Sequence, residues 1–451
     1  MELSNIKRVY LVGIGGIGMS GLARYFHHLG CTVCGYDRTS TELTSELQQE
    51  GIPVIFADRD DFIPSSFHSP DQHTLIIYTP AVPHDSIVLN FFKNHGFELF
   101  KRSQVLGIIS RGMFTVAVAG THGKTTTSTM IAHILMDSGK DCSAFLGGIS
   151  TNYHTNVLYG KNDIVVVEAD EFDRSFLTLH PDIAIITSMD ADHLDIYGDH
   201  SHLNESFKQF ASQIKPGGQL IHKKDLPLDE GLTYAVENQA DVSAWNIRIE
   251  NGDFYFDFKN SLISIENIKL GIPGTHNVEN AVAAIEAALL LSVAPAAIKG
   301  ALGSFMGVKR RFEYIVKNDH QIYIDDYAHH PEELKACIRS VKRLYPEKKL
   351  TTIFQPHLYT RTRDFAEGFA EALDLTDELL MLDIYPAREL PIEGVNAEMI
   401  LGLMHLENKR LCGKQEAVDI IKKEKPELLL TVGAGDIDQL VQPLKYALQN
   451  V

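Results

Sequence analysis

Short apolar runs alternate with amphipathic helical patterns along the whole chain. The apolar runs have the length of buried strands and lie at Val9–Val12, Thr32–Gly35, Leu75–Tyr78, Thr115–Ala119, Ile164–Glu168, Ile183–Thr187, Ile322–Asp325, Leu350–Phe354, Leu379–Asp383 and Leu428–Val432. A further β-rich stretch covers Asp253–Ile268, and the clearest helical patterns cover about 125–138 and 278–291. Strands that alternate with helices predict parallel sheets covered by helices, and therefore an α/β fold.

The strand-and-helix alternation starts afresh twice, which predicts three α/β domains. We place them at 1–105, 106–308 and 309–451. A chain of 451 residues is also too long for one ordinary hydrophobic core. The first and third domains are expected to be Rossmann-like, with doubly wound sheets. The central domain is expected to resemble the α/β domain of phosphate-loop ATPases.

Composition narrows the range of partners. The formal charge of −18 argues against nucleic acid, whose phosphate backbone requires a basic surface. No apolar run approaches the roughly 20 residues that a membrane-spanning helix needs. The N-terminus enters a strand-and-glycine pattern directly, without a signal sequence, so we expect a cytoplasmic protein. The sequence leaves the oligomeric state open.

A first glycine cluster lies between the first strand and the first helix. Glycines at such a place let the backbone turn tightly, so that the free N–H groups of the helix face a pyrophosphate. Asp37 ends the second strand, where folds of this kind hold a sugar or a base. Taken alone, the cluster is typical of NAD or FAD binding, and the nucleotide stays open at this point. The residues concerned are Gly13, Gly15, Gly16, Ile17 and Gly18.

A second glycine loop also follows a strand and precedes a helix, as a phosphate-binding loop does. Lys124 can reach the terminal phosphates of ATP, and a hydroxyl of Thr125 or Thr126 can hold Mg²⁺. The loop departs from the Walker pattern, because Val118 stands where the first glycine belongs. We therefore predict ATP binding by Gly120, Thr121, His122, Gly123, Lys124, Thr125 and Thr126.

Acidic residues end the next two strands of the central region. The first group is Glu168, Asp170 and Glu171, of which Glu168 is the preferred candidate for a Mg²⁺ ligand beside the phosphate loop. The second group is Asp190, Asp192, His193 and Asp195, where an imidazole among carboxylates suits a second divalent ion. His193 is the candidate ligand in this group.

These motifs resemble those of the Mur ligase family of peptidoglycan synthesis. The loop GTHGKTTT, the segment EADE and the segment DHLD carry the resemblance first. It covers all three predicted domains in order, since it continues in segments at 274–280, 307–313, 325–331, 354–357 and 433–437.

The resemblance implies a role for each domain. The N-terminal domain would bind the UDP part of UDP-N-acetylmuramate, with the glycine loop on the pyrophosphate and Asp37 near the uracil. Thr79 stands where relatives carry serine near the substrate phosphates and is a candidate contact. The central domain would bind ATP and Mg²⁺. The C-terminal domain would close over ATP and contribute the amino-acid pocket.

The resemblance also implies individual roles. Two Mg²⁺ ions are expected, one held by Thr125 and Glu168 and the other by Glu168 with His193. Contacts to adenine, phosphates and ribose would come from Asn277, Arg311 and Asp326, respectively. Tyr327, His329 and Arg361 would line the site of the amino acid and the acyl phosphate. The residues expected to carry catalysis are Lys124, His329, Arg361 and Arg311.

The implied reaction is ATP-dependent ligation of L-alanine to the carboxylate of UDP-N-acetylmuramate through an acyl phosphate. A second hypothesis keeps the family and replaces L-alanine by a preformed tripeptide, as in cell-wall recycling. A third, an NAD-dependent oxidoreductase, leaves the second phosphate loop, Glu168 and Asn277 without a purpose. Leu358 stands where some relatives carry arginine, so the amino-acid carboxylate would depend on Arg361. Several members of the family carry a carbamylated lysine near Mg²⁺. Lys208 lies in roughly that region of the sequence, but its spacing from the other motifs does not assign this role to it.

Overall fold

The computed structural model describes residues 3–190, 200–250, 253–318, 320–387 and 389–449. The chain forms two compact units. The first comprises Met1–Asn246, Phe256–Ile268 and Glu279–Phe305, and the second comprises Ile247–Tyr255, Lys269–Val278 and Met306–Val451. Each unit is described by itself. Three sheets with covering helices confirm the α/β class, whereas the three domain boundaries stay a prediction.

The first unit begins with a parallel five-stranded sheet in the order β3-β2-β1-β4-β5. Its strands are β1 (Arg8–Val12), β2 (Thr32–Tyr36), β3 (Val54–Ile55), β4 (Thr74–Tyr78) and β5 (Leu99–Lys101). The helices of this region are α1 (Ile17–His28), α2 (Glu42–Gln49), α3 (Ile87–Asn94) and α4 (Arg102–Arg111). Short 3₁₀ helices cover Leu3–Asn5, Asp60–Phe62 and Ser65–Phe67.

A ten-stranded sheet follows, in the order β15-β14-β13-β12-β11-β10-β6-β9-β7-β8. Its first strands are β6 (Phe114–Ala119), β7 (Ser143–Ser150), β8 (Thr155–Leu158), β9 (Ile164–Glu168) and β10 (Ile183–Ile186). The remaining strands are β11 (Gln219–Lys223), β12 (Leu232–Val236), β13 (Val242–Glu250), β14 (Asp253–Lys259) and β15 (Ser264–Leu270). The helices are α5 (Lys124–Asp137), α6 (His200–Ser212), α7 (Thr275–Leu290) and α8 (Pro295–Ser304), with a 3₁₀ helix at Phe172–Thr178.

The second unit contains a six-stranded sheet in the order β16-β17-β21-β18-β19-β20, with β16 antiparallel to β17. Its strands are β16 (Glu313–Lys317), β17 (Ile322–Asp326), β18 (Leu350–Phe354), β19 (Glu378–Met381), β20 (Lys409–Leu411) and β21 (Leu428–Val432). Its helices are α9 (Pro331–Leu344), α10 (Tyr359–Asp364), α11 (Ala366–Leu373), α12 (Ala397–Leu403), α13 (Lys414–Glu424) and α14 (Val441–Gln449), with a 3₁₀ helix at Asp436–Leu440.

The side chains of β1 show how the first sheet is buried on both faces. Val9 and Leu11 join the main hydrophobic core of the unit, whereas Tyr10 and Val12 join a separate core on the opposite face. This division follows from the two-residue period of a strand. A sheet covered on both faces needs near-continuous apolar runs, which is why these strands are recognisable in the sequence.

The predicted strands and helices agree with the structure to within a few residues at most of their ends. The β-rich stretch at Asp253–Ile268 is in fact two strands, β14 and β15. Asn260 separates them, because its side-chain oxygen accepts hydrogen bonds from the N–H groups of Leu262 and Ile263 at 2.9 and 2.8 Å. Such an asparagine turn offers the backbone an alternative to the ladder. Among the described residues, no helix is long and apolar enough to cross a membrane.

The five-stranded and the ten-stranded sheets both place their loops where ligands bind in α/β proteins. In the five-stranded sheet the strand order reverses at β1 and β4, and in the ten-stranded sheet β6 lies between β9 and β10. The crevice beyond the carboxyl ends of strands at such a reversal is the usual binding site. Both glycine loops, after β1 and after β6, lie at these positions.

The close approach of β2 to the first glycine loop yields a prediction for stability. A Cβ on Gly35 would overlap the carbonyl oxygen of Leu11 and lie 2.9 Å from Cβ of Ile14. We expect Gly35→Ala to lower the free energy of unfolding by about 1–3 kcal/mol, because a packed core resists extra volume. Chemical denaturation of the purified protein measures this change.

Gly112→Ala is the matched control, since a Cβ on Gly112 would meet no atom within 4 Å. Equal stability of the two variants would contradict the tight packing of β2 against the loop.

Candidate active site

The first glycine loop is held against the loop that follows β4. Gly13 has φ of +90°, and a Cβ there would lie 3.0 Å from Val82 and would overlap the side chain of Thr79. The N–H groups of Gly13 and Ile14 donate to the carbonyl oxygen of Tyr36 at 2.7 and 3.0 Å. Glycine is therefore required at position 13 by both conformation and space.

The carboxylate of Asp37 supports the same loop. Its Oδ2 accepts a hydrogen bond from the N–H of Gly15 at 2.8 Å, and its Oδ1 accepts one from the N–H of Thr39 at 3.1 Å. Both oxygens are thus engaged with backbone groups. Asp37, directly after β2, therefore holds the first glycine loop in place. Its expected contact with uracil stays a prediction.

A cavity of about 250 Å³ opens beside the glycine loop. Four of the residues predicted to bind the UDP group line it: Gly16, Ile17, Gly18 and Thr79. The lining also includes Arg102, Glu168 and Asp170. The cavity therefore joins the first glycine loop to the carboxylates that end β9, which lie far apart in the sequence.

The phosphate loop after β6 is supported by the end of β10. Gly120 and Gly123 have φ of +134° and +80°, and Gly123 is the N-cap residue of α5. The hydroxyl of Ser188 accepts a hydrogen bond from the N–H of His122 at 2.7 Å and lies 2.8 Å from the hydroxyl of Thr121. The hydroxyl of Thr187 donates to the carbonyl oxygen of Ala119 at 3.1 Å. These supporting roles of Thr187 and Ser188 were not predicted, although the sequence shows a Thr-Ser pair directly after a strand.

Lys124 extends along the loop towards a buried acid. Its Nζ donates to the carbonyl oxygen of Gly120 at 2.7 Å and lies 2.8 Å from each carboxylate oxygen of Glu171. The side chain of Glu171 is 1% exposed and that of Lys124 is 14% exposed. Burial alone would lower the pKa of Lys124, but Glu171, Asp170 and Glu168 outweigh it and raise the pKa above its ordinary value. Lys124 is therefore held as a cation.

Glu168, the predicted magnesium ligand, is held in place by a close backbone contact. Its Oε2 accepts a hydrogen bond from the N–H of Gly147 at 2.9 Å, and its carboxylate occupies the space where a side chain at 147 would lie. Thr125, the other predicted ligand, is the second residue of α5 and is buried. Among the described residues, no cluster of three or more His, Cys, Asp or Glu could hold a metal ion. Mg²⁺ commonly binds one or two carboxylates together with substrate phosphates, so Glu168 and Thr125 stay the predicted ligands.

His193 and its neighbours Asp192 and Asp195 lie outside the described residues. The second ion therefore stays a prediction. Thr126, the alternative hydroxyl in the loop, is buried like Thr125.

In the second unit, two consecutive arginines flank one aromatic ring. The guanidinium groups of Arg310 and Arg311 lie 5.1 and 5.3 Å from the ring centre of Tyr327. Arg310 also donates to the carbonyl oxygen of Gly433 at 2.6 Å and pairs with Asp325 at 3.3 Å. Arg310 thus has a structural task, and Arg311 is the arginine expected to meet a ligand.

The two aspartates that end β17 are buried. Asp326 accepts hydrogen bonds from the N–H groups of Phe312 and Ala328, both at 2.7 Å. Burial raises the pKa of Asp326 to about 6, against the opposing effect of Arg311. Burial likewise raises the pKa of Asp325 to about 7, although Arg310 opposes it. Strong backbone bonds hold Asp326 in place, and its expected contact with ribose stays a prediction.

His329 is fixed by its neighbours in the chain. Its Nδ1 donates to the carbonyl oxygen of Tyr327 at 2.9 Å and lies 3.5 Å from the carboxylate of Glu333. Burial lowers the pKa of His329, Glu333 raises it, and Arg361 and Arg311 lower it, with a net decrease. The neutral ring then presents Nε2 as a proton acceptor. Glu333, four residues further on, was not recognised from the sequence.

His357 brings the remaining predicted residues of this unit together. Its ring centre lies 6.1 Å from that of His329, and its Nδ1 lies 3.4 Å from Nη1 of Arg361. The predicted amino-acid pocket residues Tyr327, His329 and Arg361 are therefore neighbours.

Asn277, the residue predicted to bind adenine, donates from its side-chain amide to the carbonyl oxygen of Pro273 at 2.6 Å. Burial and, to a smaller extent, the charge of Arg311 lower the pKa of the adjacent His276 to about 4.

The fold and the site are those of an α/β protein with two glycine loops of the phosphate-binding type, with a buried lysine and carboxylates beside them. Family profiles agree with this. The Mur ligase family catalytic domain matches residues 8–113, the Mur ligase middle domain matches 118–288, and the Mur ligase glutamate ligase domain matches 310–435. The chain belongs to the Mur ligase family.

Similar proteins include two curated relatives named UDP-N-acetylmuramate–L-alanine ligase. The one from Cytophaga hutchinsonii is 48% identical and the one from Parabacteroides distasonis is 50% identical, each over 99% of this chain and 97% or 98% of the relative. A solved UDP-N-acetylmuramate–alanine ligase from Thermotoga maritima is 28% identical with a TM-score of 0.83, covering 97% of this chain and 98% of that one. A murein peptide ligase from Psychrobacter arcticus, 24% identical with a TM-score of 0.71 over 99% of both chains, shares the fold.

The contact between Gly147 and Glu168 yields a prediction for metal binding. A methyl group at position 147 would occupy the space of the Glu168 carboxylate. We expect Gly147→Ala to raise the Mg²⁺ concentration needed for half-maximal ADP binding by at least about tenfold, because an Mg²⁺ site demands near-ideal ligand positions. Calorimetric titration with ADP at graded Mg²⁺ concentrations measures this.

Gly112→Ala again provides the control. An unchanged Mg²⁺ requirement in Gly147→Ala would remove Glu168 from the metal site.

The buried aspartates of the second unit predict how stability depends on pH. The pKa of Asp325 is about 7 in the folded protein, above its value of about 3.9 in an unfolded chain. Between these values the folded form holds a proton that the unfolded form has lost, so stability falls as the pH rises. Asp325→Asn removes this contribution. We expect the variant to gain about 1–3 kcal/mol relative to the wild type between pH 5 and pH 8.

Denaturation curves of both proteins at the two pH values measure the difference. A constant difference would show that Asp325 carries its charge in the folded protein.

Proposed function

We propose that the protein joins L-alanine to the lactyl carboxylate of UDP-N-acetylmuramate, at the expense of ATP, as a step of peptidoglycan precursor synthesis. The observation that carries the proposal is the similarity of the entire chain, at about half identity, to relatives named for this activity. The site supports it, because two phosphate-binding loops, a buried cation and clustered carboxylates are what such a reaction requires.

A carboxylate and an amine do not condense in water, so the carboxylate is activated first. An oxygen of the lactyl carboxylate attacks the γ-phosphorus of ATP in line, the bond to the β-phosphate oxygen breaks, and ADP leaves. The acyl phosphate that results is attacked at its carbonyl carbon by the amine of L-alanine. The tetrahedral intermediate then expels phosphate, and the amide remains.

Both reactants of the first step are anionic, so neutralisation of charge is the central requirement. Lys124 serves this purpose, since Glu171 and the carbonyl of Gly120 hold it extended along the phosphate loop. Glu168 and Thr125 would hold Mg²⁺, and His193 would hold a second ion. Bound Mg²⁺ supplies further positive charge to the phosphate oxygens.

The second step requires a neutral amine, whereas free L-alanine carries an ammonium group at pH 7. His329 suits the removal of that proton, because its pKa is lowered and its Nδ1 is committed to Tyr327. Arg361, beside His357, would pair with the carboxylate of the amino acid. Arg311 would neutralise charge on the phosphates, Asn277 would bind adenine, and Asp326 would bind ribose.

Release of ADP and phosphate by the purified protein tests the proposal. We expect turnover with Mg²⁺-ATP, UDP-N-acetylmuramate and L-alanine together, and none when any of them is omitted. Lys124→Ala should reduce the rate at least about 100-fold, because it removes a preorganised charge from the transition state. Lys140→Ala, at an exposed lysine after the same helix, should retain the wild-type rate.

The amino-acid substrate is tested in the same assay. L-Alanine should exceed glycine in kcat/KM by about tenfold or more, since one methyl group is worth about 1–3 kcal/mol in a pocket. Turnover with L-Ala–D-Glu–diaminopimelate and not with L-alanine would overturn the proposal in favour of the recycling reaction. No turnover with either would refute the substrate assignment.

A further inference from the structure

The cavity beside the first glycine loop contains an arginine that no motif of the sequence singles out. Arg102 is the first residue of α4, and its side chain is 19% exposed. If a Cβ were added to Gly18, it would lie 2.9 Å from both Cδ and Nη1 of Arg102. The guanidinium group therefore lies on the first turn of α1, in the same cavity as Gly16 and Ile17.

The first turn of α1 is itself suited to an anion. Its N-cap is Gly16, and among the described residues no side chain caps this helix end. Backbone N–H groups at a helix N-terminus attract negative charge. Arg102 adds a planar, permanently charged donor to this turn, and arginine forms paired hydrogen bonds with phosphate oxygens.

The present partner of Arg102 is one that a ligand can replace. Its Nη2 lies 3.2 Å from Oδ2 of Asp170, whose side chain is 38% exposed. A partly exposed ion pair of this kind contributes little stability. Glu168 and Asp170 make the cavity lining acidic apart from Arg102, so an anionic ligand depends on this arginine.

We infer that Arg102 binds the pyrophosphate of a nucleoside diphosphate sugar, together with the first turn of α1. The position on Gly18 favours the pyrophosphate over the reacting carboxylate, which must lie near Glu168 and the phosphate loop. The inference rests on the proposed function for the identity of the sugar nucleotide. It assigns Arg102 to substrate binding, with Asp170 as its counter-ion in the absence of substrate.

Binding of UDP and of uridine, measured by calorimetry on the full-length chain, tests the inference. Arg102→Met should weaken UDP binding by about 10- to 100-fold, the range for a hydrogen-bonded charge. Uridine, which lacks phosphate, should bind both proteins equally. Arg102→Lys should lie in between, because it retains charge and loses the paired geometry. Arg111→Met, at the exposed end of the same helix, should bind UDP as the wild type does.

The role of Asp170 requires a double variant. Arg102→Met leaves the charge of Asp170 without this arginine, which by itself would repel UDP. Asp170→Asn should bind UDP at least as tightly as the wild type, and Arg102→Met with Asp170→Asn should still bind it about tenfold or more weakly than Asp170→Asn alone. Recovery of wild-type affinity in the double variant would overturn the inference.

Unchanged UDP binding in Arg102→Met, an equal loss of uridine binding, or wild-type protein that binds UDP no better than uridine would also overturn it. ADP binding verifies that the phosphate loop of each variant is intact, and Arg102→Lys provides the test if Arg102→Met does not fold. Failure of the proposed function would give a different result: the wild-type protein would bind UDP as expected but would show no ligase turnover.

Discussion

The phosphate loop of the first unit depends on the ion pair between Lys124 and Glu171. A lysine at the start of α5 must be charged to serve phosphate, yet the glycine loop and the sheet bury it. A buried cation is tolerated only with a close partner and good geometry. Glu171 supplies that partner at 2.8 Å, and the carbonyl of Gly120 supplies a further acceptor. The cation is therefore maintained in the place where phosphate is expected.

The three acidic residues at the end of β9 each contact a different partner. The acids that follow the apolar run of β9 diverge, so that Glu168 lies against Gly147, Asp170 reaches Arg102, and Glu171 reaches Lys124. The end of β9 therefore contacts the phosphate loop after the neighbouring strand β6 and also lines the cavity beside the first glycine loop. A parallel sheet makes this arrangement natural, because the carboxyl ends of its strands lie together.

The second unit also buries ionisable side chains at the end of a strand and stabilises them with close partners. Asp325 and Asp326 are buried where β17 ends, and each is stabilised by an arginine and by hydrogen bonds. Their raised pKa values show that burial outweighs these partners. The polar groups near them are held by backbone bonds, as for Asp326 at Phe312 and Ala328, and rigid placement is what a ligand contact requires.

Much of the fold could be predicted from the sequence, because doubly covered strands need unbroken apolar runs and phosphate loops need glycine at set places. Lys124, Glu168 and the first glycine loop were singled out as candidates for that reason, and the family was recognised from the same motifs. The partners were not: Glu171, Ser188 and Arg102 act through contacts 47, 66 and 68 residues apart in the chain, to Lys124, His122 and Asp170. Local patterns determine which element a residue joins. Only the packing of loops at the sheet edge decides which charges meet, because that depends on strand order, which no local pattern records.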